Sequence, residues 1–566
     1  MTTDPLKSSD SSADIVTSAE GMAAPIEGVI APIEAAGSPA PAAGVPGELP
    51  NGTSDQGFGS DAASDSAKVD DAHPFLALLK LAVPTVVTMS SFTVMQFVDK
   101  LMVSRVSADP IYVGAHGNGG LISFVPISIA MGLVTVVNSF VSQNLGAGKA
   151  NRAPAYAWNA IWLSIAYWAA IIVPLALALP LIFGAMRSGV TDQNELAELL
   201  RRDTLSIGYA RILMLGAFLT LSTRAVSQFF FGMHKPYVVL VAGLAGNLTN
   251  CICNSIFIYG PQQAPHTGYS FLDGWFAFTA KIASTIGVPR MELNGAAWGT
   301  IVGTLVELSI PLAVFLSPTF HRLYQTRSTW QPSLSHFKDL LKVGWGPALM
   351  FGNEMICWGM FMVYMVGHYG PDHSSAAWIA HQYMALSFMP AVGLSVAVTA
   401  MVGKCMGAKR PDLAAARTWT GVATATVYML ICAACFIAFR EPMIRLFLSD
   451  DLAPDRAEKV VAMGSTFLLL VSGFQLFDAF AMTIVGALRG AGDTAWPGIM
   501  TLICSWSIIV GGGTLIMHFF PRLESTGPWI AASSYIVVLG TLMLLRFFSG
   551  KWKTRTLVKG DGVAGH

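Results

Sequence analysis

Three carboxylates lie inside long apolar runs of this 566-residue chain: Asp99, Glu354 and Asp478. A carboxylate in hydrocarbon costs about 2.5–3.5 kcal/mol on insertion scales unless it faces a cavity, a partner or a bound cation. Glu354 has no basic residue within a helical turn of it in FGNEMICW. A permanent buried charge there is the least favourable state; protonation or cation capture relieves it. The same logic applies to Asp478 in QLFDAF. The chemistry implied is the capture and release of protons or hard cations within a membrane. Asp99 lies near the end of its run, where a helix-end acid paired with Lys100 or Arg105 is the competing account. Asn250 and Asn254 sit four apart, hence on one helical face. Their carbonyls could coordinate a hard cation or bond between helices. A fourth acid, Glu307, could pair with Arg211 or Arg224. His381 and Gln382 could line a cavity or bond between helices, and Gln96 is a further cavity candidate.

The elements that must hold these residues are membrane spans. The chain is 53% hydrophobic and 12% charged, with mean hydropathy +0.55, against about 25% charge in soluble domains. Net charge is zero, so nothing electrostatic favours a nucleic-acid partner. The start, MTTDPLKSSD, does not read as a signal peptide. Residues 1–72, rich in Ala, Pro, Ser, Gly and Asp, read as a disordered, acidic cytoplasmic tail. Beyond it, runs of about 20 apolar residues fall at 75–103, 114–142, 155–184, 206–231, 236–259, 295–318, 338–367, 376–403, 413–439, 461–487, 495–519 and 527–549. Backbone groups in lipid must bond internally, so these are helices. Six of the seven cysteines lie inside apolar runs, and the CxxC of Cys432 and Cys435 reads as buried small hydrophobes rather than a redox pair. The fold class expected is an all-α integral membrane protein with twelve transmembrane helices.

Alternate loops carry the basic residues, among them Lys149, Arg152, Lys235, Arg322, Arg327, Lys409, Arg410, Arg489, Lys551 and Lys553. The positive-inside rule puts these loops, and both termini, in the cytoplasm. Residues 260–294 form a long external loop that is either an interfacial helix or unstructured. The chain also repeats itself. LLKLAVP at 78–84 resembles LLKVGWGP at 340–347, LGAGKANRA at 145–153 resembles MGAKRPDLA at 406–414, and FGMHKP at 231–236 matches RGAGDT at 489–494 in position. Offsets near 260 residues make spans 7–12 a copy of spans 1–6 with the same orientation. That predicts two six-helix lobes related by a pseudo-two-fold along the membrane normal. The expected organisation is an N-terminal lobe over 73–322, a cytoplasmic linker over 323–336, a C-terminal lobe over 337–549 and a cytoplasmic tail over 550–566. Glycines at 146, 148, 232, 407, 490 and 492 are expected to make tight turns. GAGD at 490–493 fits an intramembrane aspartyl protease motif, but Asp493 falls in a loop and lacks a second membrane Asp opposite it. No HExxH, GxSxG or Walker pattern supports an enzyme or an ATP-driven pump.

Several segments together resemble the multidrug and toxic compound extrusion (MATE) family: MQFVDKLMVSRVS in span 1, QNLGAGK after span 2, NLTNCICNSIFIYG in span 5, IAHQ at 379–382 and FDAFAMTIVGALRGAGDT in span 10. The resemblance covers about 75–549 and is to the NorM-like branch, which has Asn at the position of Asn254, a Glu at that of Glu354 and an Asp at that of Asp478. It implies a non-enzymatic exporter exchanging Na+ or H+ for organic, often cationic, compounds by alternating access. The implied site is Asp99, Asn250, Asn254, Glu354 and Asp478, which become metal ligands if Na+ is the coupling ion. No cofactor beyond that ion is implied. The partners expected are the bilayer and small organic substrates, with the chain acting as a monomer in the cell (inner) membrane. The sequence departs from the family in its acidic tail, its 260–294 loop and SRVS after span 1. Two alternatives remain. One is a lipid-linked saccharide flippase of the same wider superfamily, which would favour a basic central cavity. The other is a membrane-bound enzyme or scaffold, which would need a catalytic constellation or a recruiting tail.

Overall fold

The computed structural model describes residues 73–107, 111–187, 193–262, 270–448 and 453–558, so the expected tail over 1–72 lies outside the described residues. All regular structure among them is helical. Twelve helices are long and apolar enough to span a bilayer. They are spans 1 to 6 at Pro74–Ser104, Ile111–Gly146, Ala150–Ala185, Leu196–Gly232, Pro236–Tyr259 and Glu292–Leu316, and spans 7 to 12 at Leu334–Tyr369, Pro371–Gly407, Pro411–Arg445, Pro454–Ala491, Ala495–Phe519 and Thr526–Phe548. Every apolar run read from the sequence is one of these. Large side chains such as Leu177, Leu181, Val363 and Leu545 stand exposed around the bundle. In water such a surface would aggregate; against acyl chains it costs nothing. Cys435 belongs to this outer surface rather than to the interior.

Proline opens many of these helices, where its missing N–H costs no bond: Pro74, Pro236, Pro371, Pro411 and Pro454 all do so. Prolines also sit inside spans, at Pro84 and Pro126 in the first half and Pro347 and Pro390 in the second. Each pair falls at matching positions of the repeat. Helix packing repeats as well. Span 4 packs on spans 2, 3 and 6, and span 10 packs on spans 8, 9 and 12. Between the lobes, span 1 packs on span 8 and span 2 on span 7. Those two contacts exchange under a two-fold, as in a self-complementary dimer.

The loops after spans 2, 4, 6, 8 and 10 share one end of the bundle, here termed the basic face. Hydrogen bonds crossing between the lobes cluster at that end. Thr85 Oγ1 donates to the Gly393 carbonyl (2.8 Å), Ser139 Oγ to the Arg489 carbonyl (2.7 Å) and Gln143 Nε2 to the Gly490 carbonyl (2.9 Å). A ring nitrogen of His234 lies 3.1 Å from the Ala400 carbonyl oxygen. Close backbone approach makes this seam. A methyl group on Gly146 would strike the Lys404 carbonyl, and one on Gly407 would strike that of Gln143.

The turn glycines divide into two kinds. Left-handed backbone occurs at Gly148 (φ 71°) and at its repeat mate Lys409 (φ 57°), and again at His234 (φ 58°) and its mate Gly492 (φ 89°). Gly146, Gly232, Gly407 and Gly490, expected to turn the chain, instead admit a neighbouring helix. Asp493 of the GAGD segment is 3% exposed and takes two hydrogen bonds from Arg546 of span 12, at 2.8 and 3.1 Å. It ties a turn to a helix and is no protease acid. In the long external loop, Ser270–Ile286 is a helix. Trp275 donates to Ser255 Oγ (3.1 Å), and Phe276 meets the Tyr259 ring edge-on, so this helix rests on the end of span 5.

Candidate functional site

The intramembrane acids form two clusters, one in each lobe. In the first, Asp99 is buried in span 1, 8% exposed, five residues before the helix ends. Asn254 Nδ2 donates to Asp99 Oδ1 (2.6 Å) and contacts Asn250 Oδ1 (3.2 Å). Asn250 Nδ2 in turn donates to Thr300 Oγ1 of span 6 (3.3 Å). The i, i+4 spacing of the two asparagines produces this alignment. Tyr259 closes the cluster by donating to the Met102 carbonyl (2.8 Å). Among the described residues no basic side chain lies within ion-pair distance of Asp99, so the pairing with Lys100 or Arg105 does not occur. Asn254 Oδ1 is buried with no hydrogen-bond partner, and it is packed against Gly299, where any β-carbon would strike it. An orphaned carbonyl oxygen beside a carboxylate, a second amide oxygen and a hydroxyl is a donor set that suits a hard cation.

In the second cluster, Glu354 of span 7 and Asp478 of span 10 lie within range of each other's charge. Both are half-buried. Like charges within range of each other disfavour double ionisation, so binding a proton or cation at one of them relieves the other. Glu354 lies in regular α-helix, and the irregularity begins six residues later. Span 7 becomes π-helical over Met360–Val366, and span 11 does so over Ser505–Gly512. Asn353 joins them, donating to Ser505 Oγ (2.8 Å) and accepting from Trp506 Nε1 (2.8 Å). Such π segments recur at functional positions in helices.

The remaining candidates scatter. Gln96 is exposed on span 1 and Gln382 on span 8. His381 lies between the rings of Trp358 and Trp378, at 6.0 and 5.6 Å. Glu307 lies within range of the Arg224 charge, but no ion pair between them occurs among the described residues; Arg224 stacks 5.4 Å over the Phe92 ring, and Arg211 donates to the Ala176 carbonyl. Sequence reasoning missed three participants. Thr300 and Gly299 carry no signal of their own in an apolar helix. Lys100 follows Asp99 directly in the sequence, yet its charge acts on His116 of its own lobe and on His381 of the other. It stands between the lobes, beyond the acids from the basic face.

A profile of the MatE family matches residues 84–256 and 349–512, one segment in each lobe and together more than half of the chain. The chain belongs to the MatE family. Membership places it among membrane transporters and not enzymes. It is 25% identical over 494 residues to a probable multidrug resistance protein NorM of Mesorhizobium japonicum, covering 87% of this chain and 96% of that one. A protein of the same description from Pseudomonas aeruginosa is 27% identical over 490 residues, with 85% and 90% covered. Among solved structures, a MATE crystallised in complex with MaL6 superposes with a TM-score of 0.71 at 21% identity, over 88% of this chain and 100% of that one. The MatE fold therefore extends through both lobes, spans 1 and 12 included.

Proposed function

We propose that this MatE protein is a multidrug exporter of the cell (inner) membrane, exchanging Na+ or H+ for organic, often cationic, compounds by alternating access. The observation that carries this reading is the pair of acid clusters, one per lobe, without ion-paired basic partners among the described residues, in a chain whose curated relatives are described as multidrug resistance proteins. The basic loops support an orientation with both termini in the cytoplasm. In that orientation the hydrogen-bonded seam closes the cytoplasmic side, and the fold corresponds to an outward-facing state. An ion from outside then binds the carboxylates and displaces the organic cation, because one site cannot hold both positive charges cheaply. With its charge neutralised, the site crosses to the inner side, where the ion leaves and substrate rebinds. The driving force is the ion gradient plus about 2.3 kcal/mol per charge per 100 mV. Na+ would use Asp99, Asn250, Asn254 and Thr300 as hard oxygen donors; a proton would need only one carboxylate. The chain would act as a monomer, since each lobe holds its own cluster.

Dye efflux from loaded, everted vesicles tests the proposal. Na+ and pH gradients are imposed separately on the wild type and on Asp99→Asn, Glu354→Gln and Asp478→Asn. Wild type should respond to one gradient, and each variant should lose most of that response. Full efflux in all three variants would remove the carboxylates from the mechanism.

A further inference from the structure

The end of the bundle opposite the basic face carries a cavity that neither acid cluster uses. Its volume is about 380 Å³, and it lies between the end of span 9 and the first turns of span 10. Span 9 is broken there. Phe439 leaves the helical conformation (φ −115°, ψ 15°), and Pro442 follows it. Past the break, Arg440, Glu441 and Arg445 line the cavity. Span 10 contributes Glu458, Ser465 and Leu469, which share one helical face. Beside the cavity the two helices already touch, because a β-carbon on Gly464 would strike the Ile444 side chain. The cavity is therefore not a gap that closer approach could fill. Among the described residues none of its two arginines and two glutamates makes an ion pair. Arg440 gives one N–H to the Ile437 carbonyl of its own helix (2.9 Å), and the neighbouring Arg456 is taken up by Asp372 (2.5 Å). Ser465 is 6% exposed, and its hydroxyl has no hydrogen-bond partner.

Two cations and two anions around one cavity sum to zero, so a ligand of one sign is attracted by half of them and repelled by the other half. A ligand carrying both signs satisfies all four. Guanidinium groups fit the oxygens of a phosphate diester. Carboxylates fit an ammonium that still has N–H donors, and a buried hydroxyl gains the partner it lacks. The cavity lies where span 9 ends and in the second turn of span 10, at the depth of lipid head groups. Apolar side chains that stand exposed beside it, Phe439, Leu446 and Leu469, give acyl chains a surface to lie against. We propose that the cavity binds the head group of a phospholipid carrying a primary ammonium, phosphatidylethanolamine, from the leaflet on this face. The phosphate sits on Arg440 and Arg445, and the ammonium on Glu441 and Glu458. Because the ligand joins both helices, it braces the broken end of span 9 against span 10.

The full-length protein in neutral detergent is titrated with short-chain phosphatidylethanolamine, phosphatidylcholine or phosphatidylglycerol. A fourth ligand, glycerophosphoethanolamine, carries the same head group without acyl chains. Bound ligand is counted by native mass spectrometry, and melting temperature is followed alongside. Phosphatidylethanolamine should bind about tenfold more tightly than the other three and raise the melting temperature. Glu441→Gln and Glu458→Gln should each bring it down to the level of phosphatidylcholine, which has no N–H to give. Arg445→Gln should weaken both lipids. All three side chains are exposed, so the variants should melt as the wild type does in the absence of lipid. Equal binding of phosphatidylcholine, tighter binding of phosphatidylglycerol, or equal binding of glycerophosphoethanolamine would overturn the assignment. So would a preference for phosphatidylethanolamine that survives in both glutamate variants. Since the readout is binding, it stands apart from whether the chain exports drugs.

Discussion

Asp99 shows how a costly residue becomes a usable one. Its carboxylate is held by Asn254, and that amide leaves its own oxygen buried without a partner. A buried acceptor without a donor costs about 1–3 kcal/mol, a cost that a bound cation would offset. Gly299 fixes this arrangement by packing directly on Asn254 Oδ1. Gly299→Ala removes no polar group, yet its methyl must push the amide away from Asp99. Ion-driven efflux should fall at least tenfold in this variant while expression and melting stay near wild type, as measured by vesicle transport alongside a thermal melt. Unchanged efflux would mean that the amide is not part of the coupling site. The sequence shows Asp99 as an anomaly and the two asparagines as a pair on one face. It does not show that they meet, because contact between spans 1 and 5 is set by packing between distant segments. Thr300 and Gly299 are wholly invisible to it, since a Thr and a Gly in an apolar helix are ordinary.

The helices were the most legible part of the chain, because hydrocarbon imposes one length and one internally bonded conformation on every crossing segment. Their turns were legible only as places. Glycine in the sequence marks both a left-handed residue and a close helix contact, and the repeat separates the two. At one turn the left-handed position is Gly148, at its mate Lys409. Open space surrounds Gly148, so Gly148→Ala should cost about 1 kcal/mol from backbone strain alone. Lys409→Gly should be neutral or stabilising, because relief of that strain offsets the added freedom of the unfolded chain. Thermal melting of the two variants checks the opposite signs; equal losses would refute the account. Asp493 teaches a related lesson. Its motif suggests chemistry, but its bonds to Arg546 show a joint between a turn and span 12.

The two-fold relation joins these observations into one moving object. Spans 1 and 2 meet spans 8 and 7 in symmetric fashion, and the glycines at 146 and 407 bring the lobes into backbone contact at the basic face. The repeat in the sequence predicts the two lobes but not which end is sealed, since that depends on the relative tilt of two bodies and not on the content of either. A seam made of backbone contacts opens as a unit, because no single side chain can swing aside to admit water. Cys405, 3% exposed, lies in that seam beside Lys404 and Arg417 and reports on it. In a variant where the other six cysteines are replaced, a water-soluble maleimide should label Cys405 slowly when no ion gradient is imposed and the seam stays sealed. An inward ion gradient without substrate should speed labelling several-fold, as the ion-loaded site crosses and empties at the basic face, and a transported dye should slow it again by carrying the site back outward. Gly407→Ala should label fast under all three conditions, because its methyl cannot fit against the Gln143 carbonyl while the seam is closed. If labelling is the same with gradient, with dye and in Gly407→Ala, the lobes do not separate at this end, and alternating access must run through a different gate.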